Sequence, residues 1–255
     1  MLKLRRARVV SGDPLAVRLE GGAAGEERRA WADESLVGPC EPGDEVVVNT
    51  EALDLGLGSG GFDVVHVNLT RGLGAEGSAT EHVMKLNYSS LQHPVAPVER
   101  PVGSAAADRA DGPPVLAIGL HGHLAPAAWA FGRAAPDGRP LRLGYVQTGG
   151  GALPGSLSRD VAALTGRGLL AGHVTAGPAY GGEAEAITLV GALDAAGSLG
   201  WDAVIAGPGP GILGSETAYG HGGMAALDVL HAALALGLPA LLSPRLSSGV
   251  FTWNR

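Results

Sequence analysis

Residues 201–223 read WDAVIAGPGPGILGSETAYGHGG, an apolar run of strand length that leads straight into a segment where seven of the eighteen residues from Ala206 to Gly223 are glycine. Glycine gives up more backbone freedom on folding than any other residue. A cluster of it just past a strand therefore calls for tight turns, or for a ligand or a second backbone lying close against the main chain.

The same arrangement recurs on both sides of this stretch. VLAIGL (115–120), LRLGYVQT (141–148), LLAGHVTAG (169–177) and PALLSP (239–244) are further short apolar runs. Between them lie alanine-rich stretches suited to helices: PAAWAFGRA, SLSRDVAALTG, GEAEAITLVGALDAAGSLG and GGMAALDVLHAALALG. Alternating strands and helices at this spacing predict a doubly wound, Rossmann-like parallel sheet covered on both faces. Glycine falls at the C-terminal ends of the strands, in GLHGHLAP, QTGGGALPGS, AGPAYGGE and AGPGPGILGSE. In an open sheet of this kind that edge is where ligands bind.

Each loop carries its own chemical reading. Gly209 to Gly214 formally match the GxGxxG dinucleotide fingerprint, but the match follows the fourth strand rather than the first. Ser243, at the end of the next strand, is not the acidic residue that would hold a ribose. Pro208 and Pro210 also remove two amide donors. No phosphate loop of the GxxxxGK[ST] form occurs, and the GxSxG elbow is only approached, by Gly155, Ser156 and Ser158. Gly149, Gly150 and Gly151 are placed either to form an anion-binding nest of free amides or to make a sharp strand-to-helix connection. Gly207, Gly209 and Gly211 line the neighbouring loop. Arg245 is the cation positioned to reach this edge and the preferred anion partner. His121 is a candidate acid or base, or a satisfied half-buried histidine. Glu183 and Glu185 are expected to open a helix, with Glu183 the second acid–base candidate. Glu216 carries the same ambiguity, and Tyr180 and Tyr219 either stack on a ligand ring or plug the crevice. No metal is assigned, since His121 and His123 have no carboxylate in their loop, and no cofactor is assigned.

Residues 1–88 differ in character. LKLRRARVV, PLAVRLE, DEVVVNT, FDVVHVNL and HVMKLNY are short β-branched runs broken by turn residues, and they predict a small antiparallel barrel or sandwich. Residues 89–112 read as a proline-rich linker or extended arm, and 113–255 as the α/β domain. The net charge of −7 divides into 10 basic against 15 acidic residues up to Arg100 and 8 against 10 beyond, so nucleic acid is not an expected partner. The lone Cys40 suits a reducing compartment. The arginines near the N-terminus break any signal peptide, and the longest apolar stretch is interrupted by Asp228, His231 and Pro239. A cytoplasmic protein without membrane attachment is expected.

The segments GDEVVVNTEALDLGLGSGGFDVV, HVMKLNYSSLQ, GGGALPGSLS, AYGGEAEAI, GPGPGILGSETAYGHGG and SPRLS, in this order between Glu41 and Ser248, resemble the uncharacterised bacterial domain-of-unknown-function family thirty-eight sixty-six. The resemblance implies the two-part organisation and names no reaction. Family members continue past SPRLS into an arginine- and histidine-rich segment, where this chain reads SSGVFTWNR, which implies C-terminal truncation, an uncovered sheet edge and self-association into a homo-oligomer. They also read TDGGALP where Gly149 stands here. Two functions are expected from these residues: binding or transformation of a small anionic, phosphate- or nucleotide-like metabolite at the glycine loops, or a non-catalytic ligand sensor or assembly module.

Overall fold

The computed structural model describes residues 1–21, 25–56, 60–74, 77, 81–101, 112–134 and 139–246. SSGVFTWNR, from which the truncated ending was expected, falls at 247–255, outside the described residues. The chain divides into two compact units, 1–80 with 87–93 and 81–86 with 94–255.

The first unit is a closed barrel of β1 (Leu4–Gly12), β2 (Leu15–Leu19), β3 (Glu27–Trp31), β4 (Glu45–Asn49) and β5 (Asp63–Asn68), in the order β1-β2-β3-β5-β4. Period-two alternation buries Ala7, Val9, Val17, Leu19, Val46, Val48 and Val65 inside it. The expected turn at EPGD forms. Gly43 takes φ +97°, and the buried Asp44 carboxylate accepts from the Glu41 amide, from Asn68 Nδ2 and from Arg71 Nε at 2.9–3.0 Å.

Two expectations for this half need correction. The barrel is not wholly antiparallel, because β3 and β5 pair in parallel. Five strands cannot alternate direction all the way around a closed ring, so one seam has to be parallel. The sequence ERRAW of β3 gave no apolar alternation to read. Its Arg28 instead forms ion pairs with Glu26, Asp54 and Asp63. The run HVMKLNY is also not a barrel strand: only Val83–Lys85 (β6) is extended, and it falls in the second unit. The short strand His93–Val95 is β7.

The second unit holds six parallel strands, β8 (Val115–Ile118), β9 (Leu143–Thr148), β10 (Gly172–Ala176), β11 (Ala184–Ala186), β12 (Ala203–Pro208) and β13 (Ala240–Ser243), in the order β11-β10-β9-β12-β8-β13. The short helices α1 (Glu34–Val37) and α2 (Glu51–Asp54) belong to the barrel half; α3 (Leu124–Arg133), α4 (Arg159–Gly166), α5 (Leu189–Ala195) and α6 (Ala225–Ala235) accompany the sheet. Strand residues alternate between two cores. Val115, Ala117, Val146, Val174, Val204 and Ala206 pack with α5 and α6, whereas Ile118, Leu143, Tyr145 and Ile205 pack with α3 and α4. Helices thus cover opposite faces, as continuous apolar strands require. Gly144 lets the Trp201 ring lie on the sheet, since a side chain there would occupy the indole's space.

The sixth strand was not expected. The composition of GEAEA suits a helix start, but Ala184–Ala186 pairs in parallel with Val174–Ala176, and the helix begins only at its N-cap Thr188, whose side chain accepts from the Gly191 amide. Strand pairing and the buried contacts of Glu185 outweigh the helix propensity of the alanines and glutamates. Part of the expected linker 89–112 runs along the outside of β11. Val98 N–H donates to the Glu185 carbonyl, and Glu99 accepts from the amides of Ile187 and Thr188. Residues 102–111 lie outside the described residues. Among the described residues, no helix is long and apolar enough to cross a membrane.

Candidate functional site

The four glycine loops do converge at the C-terminal strand ends, and most of their glycines are accounted for by one another. Gly151 forms a bridge with Ile212, and its missing Cβ would lie 2.5 Å from the Gly209 carbonyl. Gly150, at φ +99°, leaves its Cβ space to the Gly222 carbonyl, also 2.5 Å away. The Ala152 amide donates to the Gly211 carbonyl, Leu213 to Gly150 and Gly222 to Leu213. Gly207 is pressed against the Ile118 carbonyl, and Gly209 against the Gln147 amide group. Backbone on backbone is the purpose of most of this glycine: the 209–223 loop folds back over the loop after β9.

Two cavities remain around that plug. The larger, about 700 Å³, lies at the ends of β8 and β13 and carries Arg245, Glu216, Thr217, His123, His221 and Ser243 on walls that are largely apolar, with Leu120, Ile212, Met224, Leu230 and Leu242 among them. Ser243 Oγ and His123 Nδ1 are 3.3 Å apart. Glu216 sits at φ +58°, a left-handed conformation uncommon for a residue with a side chain. The smaller cavity, about 380 Å³, is bounded by Thr148, Gly149, Gly150, Pro178, His221 and Asp228. His221 belongs to both, with its Nδ1 accepting from the Gly223 amide.

The expected site residues are therefore divided. Arg245 and Glu216 share the large cavity, Gly149 and Gly150 line the small one, and Gly151, Gly207, Gly209 and Gly211 are taken up in packing the loops. Tyr180 is half-buried, with its carbonyl accepting from the Gly155 amide. Glu183 is exposed in the loop before β11 and does not open a helix. His121 lines neither cavity and lies on the α3/α4 side of the sheet.

There His121 belongs to a buried polar chain. Its Nε2 is 2.8 Å from Ser158 Oγ and its Nδ1 3.2 Å from the Tyr145 hydroxyl. Tyr145 donates to the Pro208 carbonyl at 3.0 Å and stacks on His173 at 5.1 Å. His173 Nε2 meets Gln147 Oε1 at 3.2 Å. Burial pushes His173 down to about 4, helped by the nearby His121; it also lowers His121 against the opposing pull of Asp160, and raises the Tyr145 phenol.

A second buried cluster fixes the loop after β10. The Lys85 ammonium, 3% exposed, donates to Glu185 Oε2 at 2.6 Å, to the Thr175 carbonyl at 3.1 Å and to the Ala179 carbonyl. Glu185 also accepts from Thr175 Oγ1 and from the Gly181 amide. Sequence reasoning singles out His121 and Glu185 but not the partners that complete either cluster, though one signal is present. Tyr145 and Gln147 in β9, and His173 and Thr175 in β10, form a period-two polar stripe inside otherwise apolar strands, and they are cross-strand neighbours.

No curated protein and no solved structure matches the chain. A family model does match, over residues 29–249, which takes in most of both units; it is described as Protein of unknown function (DUF3866), and the chain belongs to that family.

Proposed function

We propose that this protein binds, or binds and transforms, a small anionic metabolite of phosphate- or nucleotide-like chemistry at the C-terminal edge of a doubly wound, Rossmann-like sheet, inside the cytoplasm. The observation that carries the reading is the cavity of about 700 Å³ with Arg245 at its wall and His123, His221 and Ser243 beside it. A guanidinium offers paired donors to a phosphate or carboxylate, and the apolar remainder of the wall suits the body of the ligand. Glu216 faces the same space and would select against ligands with charge spread over the whole molecule.

The test is calorimetry with inorganic phosphate and adenosine monophosphate on the intact chain and on Arg245→Ala. The expected loss in the variant is roughly 1.5–3 kcal/mol, the value of a charge-assisted hydrogen bond. Equal affinities in the two proteins would refute the assignment.

The assembly reading is favoured by a different observation. Leu227, Leu234, Leu241 and Leu242 are exposed on and beside the edge strand β13. Among the described residues β13 pairs with β8 alone, and a strand edge flanked by leucines favours self-association. Sedimentation of Leu241→Lys against the parent distinguishes this reading: a concentration-dependent mass that falls in the variant supports assembly.

A further inference from the structure

We infer that Ser158 is a nucleophile, with His121 as its general base, in a second site that hydrolyses small neutral or cationic carboxylic esters. The inference does not rest on the proposed anion site, because none of Ser158, His121, Tyr145 and Asp160 lines the Arg245 cavity.

The direction of the hydrogen bonds identifies the base. The Tyr145 hydroxyl has two carbonyl acceptors for its single proton, Pro208 at 3.0 Å and Gly207 at 3.3 Å, and with the proton given there its oxygen is left to accept from the His121 ring. That places the imidazole proton on Nδ1. Nε2 then presents a lone pair to Ser158 Oγ at 2.8 Å, and the serine must donate to it. Nucleophile, base and a third group orienting the base are all in place, with Tyr145 in the orienting position. The turn Gly155–Leu157 leads Ser158 to the start of α4, where the Val161 amide donates to Oγ at 3.1 Å. Burial keeps His121 neutral and able to accept a proton.

Ser158 is 3% exposed and the His121 side chain 10%, while Asp160, 47% exposed, holds its carboxylate 3.9 Å from Nε2. A carboxylate beside the base disfavours anionic acyl groups, and the near-complete burial of Ser158 disfavours bulky ones. In the reaction, Ser158 Oγ bonds to the ester carbonyl carbon as its proton passes to His121 Nε2. The tetrahedral adduct collapses, and the alcohol leaves with that proton. Water, losing a proton to Nε2, then attacks the acyl-serine. Oγ departs and recovers the proton, so that ester and water give acid and alcohol.

The experiment treats the full-length folded protein with a small alkyl fluorophosphonate, followed by intact mass and peptide mapping. One adduct on Ser158 is expected. No adduct, or an adduct on another residue, overturns the proposal, and this readout needs no variant. His121→Gln keeps a hydrogen-bonding partner for Ser158 and is expected to slow labelling by a factor of about 10²–10⁴. Labelling at the parent rate in a variant with parental circular dichroism also overturns it. Because the readout is a covalent adduct in the absence of phosphate, failure of anion binding leaves this result intact.

Discussion

His173 illustrates how one residue sets a stability limit. Its ring is buried against Tyr145 and bonded to Gln147, so the folded protein holds it neutral with a pKa lowered to about 4. In the unfolded chain it would titrate near 6.5, so below that pH the unfolded state binds a proton that the folded state refuses. Stability is therefore complete above about pH 6.5 and declines as the pH falls toward 4, by on the order of 3 kcal/mol from this residue. Urea denaturation at pH 7, 5.5 and 4.5 should show a steeper decline in the parent than in His173→Gln, and parallel curves would remove His173 from the account. Gly150 makes the opposite kind of demand, for space. At φ +99° with the Gly222 carbonyl where a Cβ would go, Gly150→Val should destabilise the fold by more than about 1–3 kcal/mol. The melting temperature reports this directly. The sequence revealed that these glycines were needed, but not that the close neighbour is another loop's backbone. GGG reads the same whether an anion or a carbonyl sits above it.

At the scale of elements, the five apolar strands of four to six residues and the four helices of the α/β half could be read from their alternation along the chain, since each apolar run but the last is followed by a glycine loop and an alanine-rich stretch. β3 and β11 could not. One is a charged barrel strand whose stability comes from Arg28 and its carboxylates, and the other is a three-residue edge strand with helix-favouring composition. What makes β11 a strand is partly remote in sequence: Lys85, one hundred residues away, reaches the Glu185 carboxylate in a nearly dry pocket. Glu185→Ala would leave that ammonium buried beside carbonyls alone and should cost about 3–5 kcal/mol, as breaking one side of a buried pair does. Adding Lys85→Met removes the stranded charge, so the double variant should recover part of the loss. A double-mutant cycle by chemical denaturation checks this; strictly additive effects would show the pair to be uncoupled.

For the whole molecule, the change in composition between the strand-rich first third and the alanine-rich remainder indicated two parts, and the chain does form two compact units. The composition could not show that the chain crosses between them more than once. Residues 81–86 join the second unit, 87–93 return to the first, and the chain from Pro94 belongs to the second again. The turn back is made by Leu86 and Tyr88 at φ +53° and +59°, conformations with no sequence signal in residues of this type. Its physical content is specific. A second unit cut to residues 113–255, where the apolar pattern begins, would lack both Lys85, which neutralises the buried Glu185, and Glu99, which accepts from the Ile187 and Thr188 amides ahead of α5. A fragment of residues 81–255 retains both. The longer fragment should therefore melt well above the shorter one, and Lys85→Met within it should lower its melting temperature toward that of the shorter. Differential scanning calorimetry of the three proteins decides the matter: coincident transitions for 81–255 and 113–255 would show that the returning segment adds nothing to the sheet, and that the boundary read from composition is the energetic one.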